Sequence, residues 1–521
     1  MKKLSGQDAL FLHIDRPNAG THGTMIYIYD QEDVPGGGPL RFKQILAHIE
    51  RNLDAAPFFR RKIVQLPLSL GYPYWALDDS FDLNFHVRHS ALPKPGDWRQ
   101  FCILASRIHA RQIDLSRPPW EMHVIEGLDN VDWLPRGSFA ILTKGHHAAM
   151  DGSAFAELTW ALHELDAKKG RRAPVVRKAT VTTQEIAPST LTLVTQALQD
   201  NLMAPLRMAA PAAKVAPKLG AMALARVGRM LGGERIEATK TRFNGAVSSQ
   251  RVFDSAIFDF DQVRAIRAAV PGATVNDVVL AVIGGAMRRY LQARKELPKA
   301  TLTAVSPVNT RPDKGATTPD GNNISALTFP LGTDIASPLA RLAAVHDATA
   351  RTKETANAIG AKELTDLSKF APPATLAFAG RLISLTGLGG AGPFPLHHTA
   401  VSNVPGPTVP IYLLGARMRY WSCVAPISDG MGLFHGVTSC DGKLIVSPTS
   451  TPEMLPDPAH YTQCIRESML ELSKAAAASR EPRAKAKGTK SKKRATAATA
   501  PRAKRVASRV STKPEPRIAR S

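Results

Sequence analysis

The sequence predicts a mixed α/β protein of two domains. Three observations carry that expectation. At 521 residues the chain exceeds what one hydrophobic core usually serves, so two units nearer 200 residues than 500 are expected. Strand-like and helical runs alternate on both sides of its middle. Between the halves the composition turns polar, charged and proline-interrupted, as linkers do. Apolar residues make up 44% of the chain, ordinary for a globular protein.

In residues 1–180, "THGTMIYIYD" and "GSFAILTKG" suit strands, while "PLRFKQILAHIERNL" and "SAFAELTWALHEL" suit helices. Phe155, Leu158, Leu162 and Leu165 recur at helical spacing and predict one apolar face. The stretch 181–245 is expected to be a linker or crossover. Its Ala/Met/Leu-rich, basic part could alternatively be an amphipathic surface meeting lipid. Pro205, Pro211 and Pro217 cut it into short pieces, which favours the crossover. Residues 246–475 form a second mixed region. They hold a helix in "VNDVVLAVIGGAMRRYLQAR", strands in "LTAVSPV", "NISALTFPL" and "KLIVSPT", and a closing helix in "PAHYTQCIRESMLELSKAA". Residues 476–521, rich in Lys, Arg, Ala and Pro without aromatics, predict a disordered basic tail. No short repeat is visible.

The formal charge of +23 is unevenly placed. From Arg480 onward there are 15 Lys/Arg and 2 Asp/Glu, so more than half of the excess lies in the tail. Three readings of that tail stand: a solvated appendage, a tether to anionic lipid, or a nonspecific nucleic-acid binder. Without interleaved aromatics, sequence-specific nucleic-acid recognition has no support. Cys102, Cys423, Cys440 and Cys464 are scattered with no C-x-x-C pair, which argues against a zinc site or disulfide framework and suits a reducing compartment. Asp8, His13 and Asp15 interrupt any signal-peptide core. No run of about 18 apolar residues could span a bilayer. A cytoplasmic protein is expected, touching membrane or lipid inclusions only from the surface.

The most informative stretch is "ILTKGHHAAMDGSAFAEL", Ile141 to Leu158. A strand-like run ends in two histidines, and an amphipathic helix follows. Functional groups are commonly presented at such junctions. On an extended backbone neighbouring side chains point to opposite faces, so His146 and His147 should divide into one chemical and one structural residue. Asp151 would cap the following helix, and Gly152 would let the chain turn. A histidine so held is the usual proton acceptor near pH 7.

The pattern H-H-x-x-x-D-G resembles the signature of the CoA-dependent acyltransferase superfamily. "FDLNFHVRHSALPKPG", "LSRPPWE", "VNDVVLA" and "SNVPGP" resemble, more narrowly, the bacterial wax ester synthase/acyl-CoA:diacylglycerol acyltransferase family. The resemblance runs in order from about Leu4 to Leu472. One departure is Pro118-Pro119-Trp120 where the family usually has Pro-Leu-Trp, which bears on the local loop and on acyl selectivity. The resemblance implies two chloramphenicol-acetyltransferase-like domains enclosing a tunnel, with His147 as the general base. It implies acyl-CoA as a substrate, a diacylglycerol or fatty alcohol as acceptor, and no resident cofactor.

Other positions keep two readings. Asn276 is a candidate oxyanion donor, yet Thr274 and Asp277 around it spell a helix capping box. Asn403 in "SNVPGP" is a candidate polar contact on a tunnel wall, and Arg311 could brace Asp151 or lie in an exposed loop. "GLGGAG" (387–392) follows a helical run and precedes prolines, so it lacks a nucleotide-binding context. The pair His397-His398 lacks Asp-Gly and is read as local structure or tunnel lining. His86 and His89 sit on a strand-like run facing opposite ways, and no metal site is expected. Against the acyltransferase stand two alternatives: a related transferase with another alcohol acceptor, and an inactive scaffold that binds lipid surfaces. Intact His147 and Asp151 argue against the inactive scaffold.

Overall fold

The computed structural model describes residues 2–55, 57–65, 71–150, 152–167, 194–195, 198–199, 201–203, 239–309, 324–359 and 397–494. In chain order the first half supplies β1 (Lys2–Lys3), α1 (Gly6–Ile14), β2 (His22–Asp30), α2 (Phe42–Asn52), β3 (Arg61–Val64) and β4 (Tyr74–Leu77). It continues with α3 (Leu83–His86), β5 (Val87–Ala91), α4 (Trp98–Ala110), β6 (Trp120–Leu128), β7 (Ser138–His146) and α5 (Gly152–Leu162). Every residue of β2 and of β7 is buried, because different helices cover the two faces of their sheet. On β2, Thr24 meets His109 of α4, whereas the Tyr27 hydroxyl meets Thr159 of α5. A strand covered on both sides reads as a continuous apolar run, not as an alternating one.

The second half supplies β8 (Val252–Phe253), β9 (Ala256–Asp259), α6 (Phe260–Arg267), α7 (Val275–Ala293), β10 (Thr303–Asn309) and β11 (Ile324–Pro330). After these come α8 (Pro338–Ile359), β12 (Thr399–Val404), β13 (Tyr412–Leu413), β14 (Ala416–Val424), β15 (Leu433–Cys440), β16 (Lys443–Ser450) and α9 (Pro458–Arg494). Helix α7 is buried over most of its length, against α6, α8 and α9. None of the described helices is long and apolar enough to cross a membrane.

The halves are not a simple tandem. One sheet runs β11-β10-β12-β15-β16-β8, with β9 also on β16. A second runs β13-β14-β2-β7-β6-β5, so two strands from beyond residue 410 complete the N-terminal sheet, and β1-β4-β3 form a small third one. Strand β14 pairs antiparallel with β2 from Arg417↔Asp30 to Val424↔Thr24. Arg419 forms an ion pair with the fully buried carboxylate of Asp30, and Trp421 stacks on Tyr27. The division at 246 therefore marks the order of the chain, and the cores cut across it.

Four further expectations are revised. The crossover ends before residue 241, since Thr241 caps a short turn (Arg242–Asn244) whose Phe243 is fully buried. Leu165 lies beyond α5 and is 68% exposed, while Phe155, Leu158 and Leu162 are buried. His86 ends the short helix α3, so it does not share a strand with His89. The closing helix extends to Arg494, into the region expected to be disordered, because Ala, Lys, Arg and Glu are good helix formers. Residues 168–193, the prolines of the crossover and 495–521 lie outside the described residues.

Burial of histidines has a consequence for acid stability. Burial drives the His435 imidazole down to about 3 and that of His163 to about 4. Burial, reinforced by the positive charge of Lys144, takes His22 to about 3. An unfolded histidine titrates near 6.5, so these groups contribute full stability above that pH and lose it as pH falls toward 4 and then 3. Each can remove up to about 1.4 kcal/mol per pH unit in that window. The melting temperature should therefore fall steeply between pH 6.5 and 4.5. A flat profile over that range would contradict the burial of these rings.

Candidate active site

Strand β7 is in register with β2, pairing His146 with His22 and Gly145 with Gly23. The strand ends there because the chain doubles back: the amides of Ala149 and Met150 both donate to the His146 carbonyl, at 2.8 and 3.0 Å. A Cβ on Gly145 would lie 2.4 Å from the Met150 sulfur and 3.1 Å from the Phe155 ring. Glycine is what allows this return.

His146 is sealed, and its hydrogen bonds define its tautomer. Its Nδ1 accepts the Ala148 amide at 3.1 Å. A backbone N–H can only donate, so the ring proton sits on Nε2 and is donated to the Thr21 hydroxyl at 3.0 Å. Thr21 in turn donates to the Phe11 carbonyl at 2.9 Å. The Thr21 amide is held by Asp15 at 2.7 Å. Burial raises the Asp15 carboxyl, but the neighbouring His146 ring, 3.8 Å away, and the hydrogen bond from the Thr21 amide outweigh it and hold it below the usual range.

His147 is placed differently. Its amide donates to the Thr21 carbonyl at 2.9 Å, which continues the strand contact one step past β7. Its partly exposed ring stacks on Phe11 with centroids 5.3 Å apart. A Cβ at Gly23 would stand 3.7 Å from Nε2 of His147 and 3.6 Å from Phe155. Glycine thus adds no side chain of its own beside Nε2, where a branched one would crowd the ring. Gly23→Val should reduce kcat/KM by about tenfold or more with a melting temperature shifted by only a few degrees, because the new methyls would obstruct His147 without breaking the β2 ladder. Unchanged kcat/KM would mean that the space before Nε2 is not used.

Behind this turn lies a second polar layer. His22 Nε2 contacts the His109 carbonyl at 2.6 Å. The fully buried Lys144 donates to the carbonyls of Ile108 and Arg111 at the end of α4. Burial lowers the Lys144 ammonium to about 8, against the attraction of Glu121. These bonds tie α4 to the strand that carries the histidines.

The remaining candidates are spread out. Asp151 and Arg311 fall outside the described residues, as does "GLGGAG". Gly152 opens α5. Asn276 is the second residue of α7, half-buried, and among the described residues no hydrogen bond joins it to the histidine pair. Asp277 does complete the capping box with Thr274, and its buried carboxylate also takes Thr349 at 2.7 Å and His346 at 2.9 Å. Asn403 is exposed on β12. His398 is engaged by the Thr303 amide and the Thr239 carbonyl, and His397 meets Thr328. His86 stacks on Trp120, and His89 pairs with Glu126. Among the described residues no group of three or more His, Cys, Asp or Glu is arranged to hold a metal.

Sequence reasoning missed Phe11, Asp15, Thr21 and Gly23. The only local signal was polar residues directly after an apolar helix in "ALFLHIDRPNAGTHG". Their role depends on pairing with a strand more than 100 residues away.

Two family profiles cover this architecture. The wax ester synthase/diacylglycerol acyltransferase catalytic domain matches residues 4–279, and the WS/DGAT C-terminal domain matches 320–473. The chain belongs to the wax ester synthase/diacylglycerol acyltransferase family. It is an acyltransferase, with an acyl donor and an alcohol acceptor. Two proteins of Mycobacterium tuberculosis strain H37Rv, named as candidate diacylglycerol O-acyltransferases, are 31% and 30% identical over 473 and 472 residues. Each match covers 91% of this chain, and 90% and 99% of the respective relative. The fold is shared with a wax ester synthase/diacylglycerol acyltransferase from Marinobacter aquaeolei VT8 (TM-score 0.64, 24% identity, covering 92% of this chain and 100% of that one). It is also shared with the first condensation domain of a calcium-dependent antibiotic synthetase (TM-score 0.55, 16% identity, 92% and 96% covered).

The Pro118-Pro119-Trp120 segment has a definite place in this acyltransferase. At Pro119 it is the carbonyl that matters, because it accepts the His146 amide at 3.0 Å. Proline keeps its carbonyl and loses only an N–H. Trp120 next to it is buried, with its indole N–H on the Phe59 carbonyl at 3.0 Å.

Proposed function

We propose that this acyltransferase moves a fatty acyl group from acyl-CoA to the hydroxyl of a diacylglycerol or long-chain alcohol, with His147 as the general base. The observation that carries the assignment is the different tethering of the two histidines. His146 spends both ring nitrogens on Ala148 and Thr21. His147 is positioned by its backbone and by Phe11, with a glycine opposite Nε2.

His147 takes the alcohol proton as the alcohol oxygen bonds to the thioester carbonyl carbon. The carbon–sulfur bond then breaks, and the protonated histidine returns the proton to the departing CoA thiolate. No covalent acyl-enzyme and no resident cofactor are needed. Asn276 at the N-terminus of α7 is the candidate donor to the tetrahedral oxyanion, with the positive end of that helix beside it. Gly152 and Asp151 would set the helix after the turn, and Arg311 would brace Asp151. Asn403 would line the acceptor side. The basic tail would act as an electrostatic tether to anionic membrane or lipid-inclusion surfaces, at about 1 kcal/mol per basic residue near the surface.

The test is CoA release from palmitoyl-CoA by the full chain, with hexadecanol or dioleoylglycerol as acceptor. Acceptor-dependent release with product ester is expected, and the two rates rank the alcohols. Release with neither alcohol, while another hydroxyl acceptor supports it, would replace the proposed acceptor class.

A further inference from the structure

A cavity of about 1110 Å³ opens between α4 and the segments 249–254 and 452–459. Two adjacent rows of α4 form one wall. In the outer row, helical spacing brings Arg99 and Arg107 to the same side, and Arg111 follows just past the helix end. All three are exposed. Among the described residues no carboxylate lies within ion-pair distance of them, whereas Arg289 elsewhere has both Glu467 and Glu471.

The opposite wall contributes a fourth guanidinium. Arg251 is 9% exposed, and among the described residues its hydrogen bonds go to backbone carbonyls of Ser248, Gln250 and Asn18. Its Nε has no hydrogen-bond partner among the described residues. The carboxylates lining the cavity are already engaged. Asp254 accepts the Trp98 indole and the Ser255 amide, and Asp457 caps His460. The cavity is therefore net positive, with forked donors suited to phosphate oxygens.

The α4 wall is tied to the active-site strands at its C-terminal end. Arg111 lines the cavity and accepts Lys144 through its carbonyl, and the neighbouring His109 carbonyl meets His22. His22 is the cross-strand partner of His146.

We propose that this groove binds the 3′-phosphorylated ADP end of the CoA donor, with Arg99, Arg107, Arg111 and Arg251 around its phosphates. The proposal rests on the acyl-CoA donor assigned above. The pantetheine arm would then run along the end of α4 toward the turn that holds His147. An anionic lipid headgroup shares the phosphate chemistry, but a groove whose α4 wall is hydrogen-bonded to the histidine-bearing strand fits a bound donor better than a membrane contact.

The test is equilibrium binding of CoA, dephospho-CoA and pantetheine to the full chain by calorimetry, without any turnover. The comparison is with Arg99→Gln/Arg107→Gln/Arg111→Gln, with Arg107→Glu as a second variant and the exposed Arg267→Gln on α6 as a control. Melting temperatures would establish that each variant is folded. The Kd for CoA should rise at least tenfold in the triple variant and also in Arg107→Glu, less for dephospho-CoA, and less than twofold for pantetheine. High salt should weaken CoA binding to the unaltered chain. No measurable CoA binding by the unaltered chain would overturn the proposal, as would an unchanged Kd in the triple variant. Equal losses for CoA and pantetheine would also overturn it. If phosphatidylglycerol vesicles lose binding in the triple variant while CoA does not, the groove serves lipid instead. CoA binding that depends on these arginines, without acyl transfer from palmitoyl-CoA, would leave the groove standing and refute the proposed reaction.

Discussion

Replacing His147 by alanine should lower kcat for acyl transfer by about 10²–10⁴, the usual contribution of a positioned general base. KM for palmitoyl-CoA should change far less, because the ring acts on the alcohol proton and not on the donor's binding. The variant should also fold. His147 is held by its amide on the Thr21 carbonyl, which alanine retains, and the lost ring contact with Phe11 is partly exposed. The companion variant His146→Ala behaves differently. It leaves the Ala148 amide without its partner inside a sealed site, at about 1–3 kcal/mol, and removes the hydrogen bond that Thr21 accepts from the ring. Stability should fall along with activity. A His147→Ala enzyme that keeps parental kcat would remove His147 from the mechanism, whatever His146 does.

Gly406→Ala is expected to destabilise the protein by about 3 kcal/mol, at the upper end of overpacking effects. A Cβ at that position would lie 1.8 Å from the Ser439 carbonyl oxygen and 2.3 Å from the Trp421 ring. Neither neighbour can yield. Ser439 is in the β15–β16 ladder of one sheet, and the buried Trp421 is in β14 of the other. The Gly406 amide also donates to the Ser439 hydroxyl at 3.0 Å. This is where the chain leaves β12 to supply β13 and β14 to the N-terminal sheet, so the glycine of "SNVPGP" lets three strands converge. Gly245→Ala is the control, since its nearest contact would be Met454 at an ordinary 3.5 Å. Chemical denaturation of both variants gives the comparison. Equal, small losses would mean that the β12 exit can relax, and that the motif is kept for another reason.

These two glycine and histidine motifs were readable in the chain for different reasons. "SFAILTK" reads as a strand because both faces of its sheet are covered, and "VNDVVLAVIGGAMRRYLQA" reads as a helix with its cap in place. The division of His146 from His147 follows from alternation along an extended backbone. By contrast, Leu165 fitted the helical period and yet lies outside α5, since periodicity does not say where a helix stops. The reading of "SNVPGP" points to Asn403, whereas the residue of that segment under the severest steric demand is Gly406. A capping box predicted one role for Asp277; the bonds from Thr349 and His346 on α8 could not be read from its neighbours.

By itself the sequence determined the fold class, the strand–turn–helix that presents the histidine pair, and the family to which the chain belongs. Each of these is recorded locally, in side-chain period and in residues a few positions apart. Tertiary structure alone decided that β14 closes the N-terminal sheet, that Thr21 and Asp15 hold His146, and that Gly23 faces His147. It also decided that the α4 arginines meet Arg251 across a groove. Those arrangements join residues separated by 100 to 400 positions, and their energies come from burial and pairing after the chain has closed on itself. No local pattern can record a partner that only the folded chain brings near.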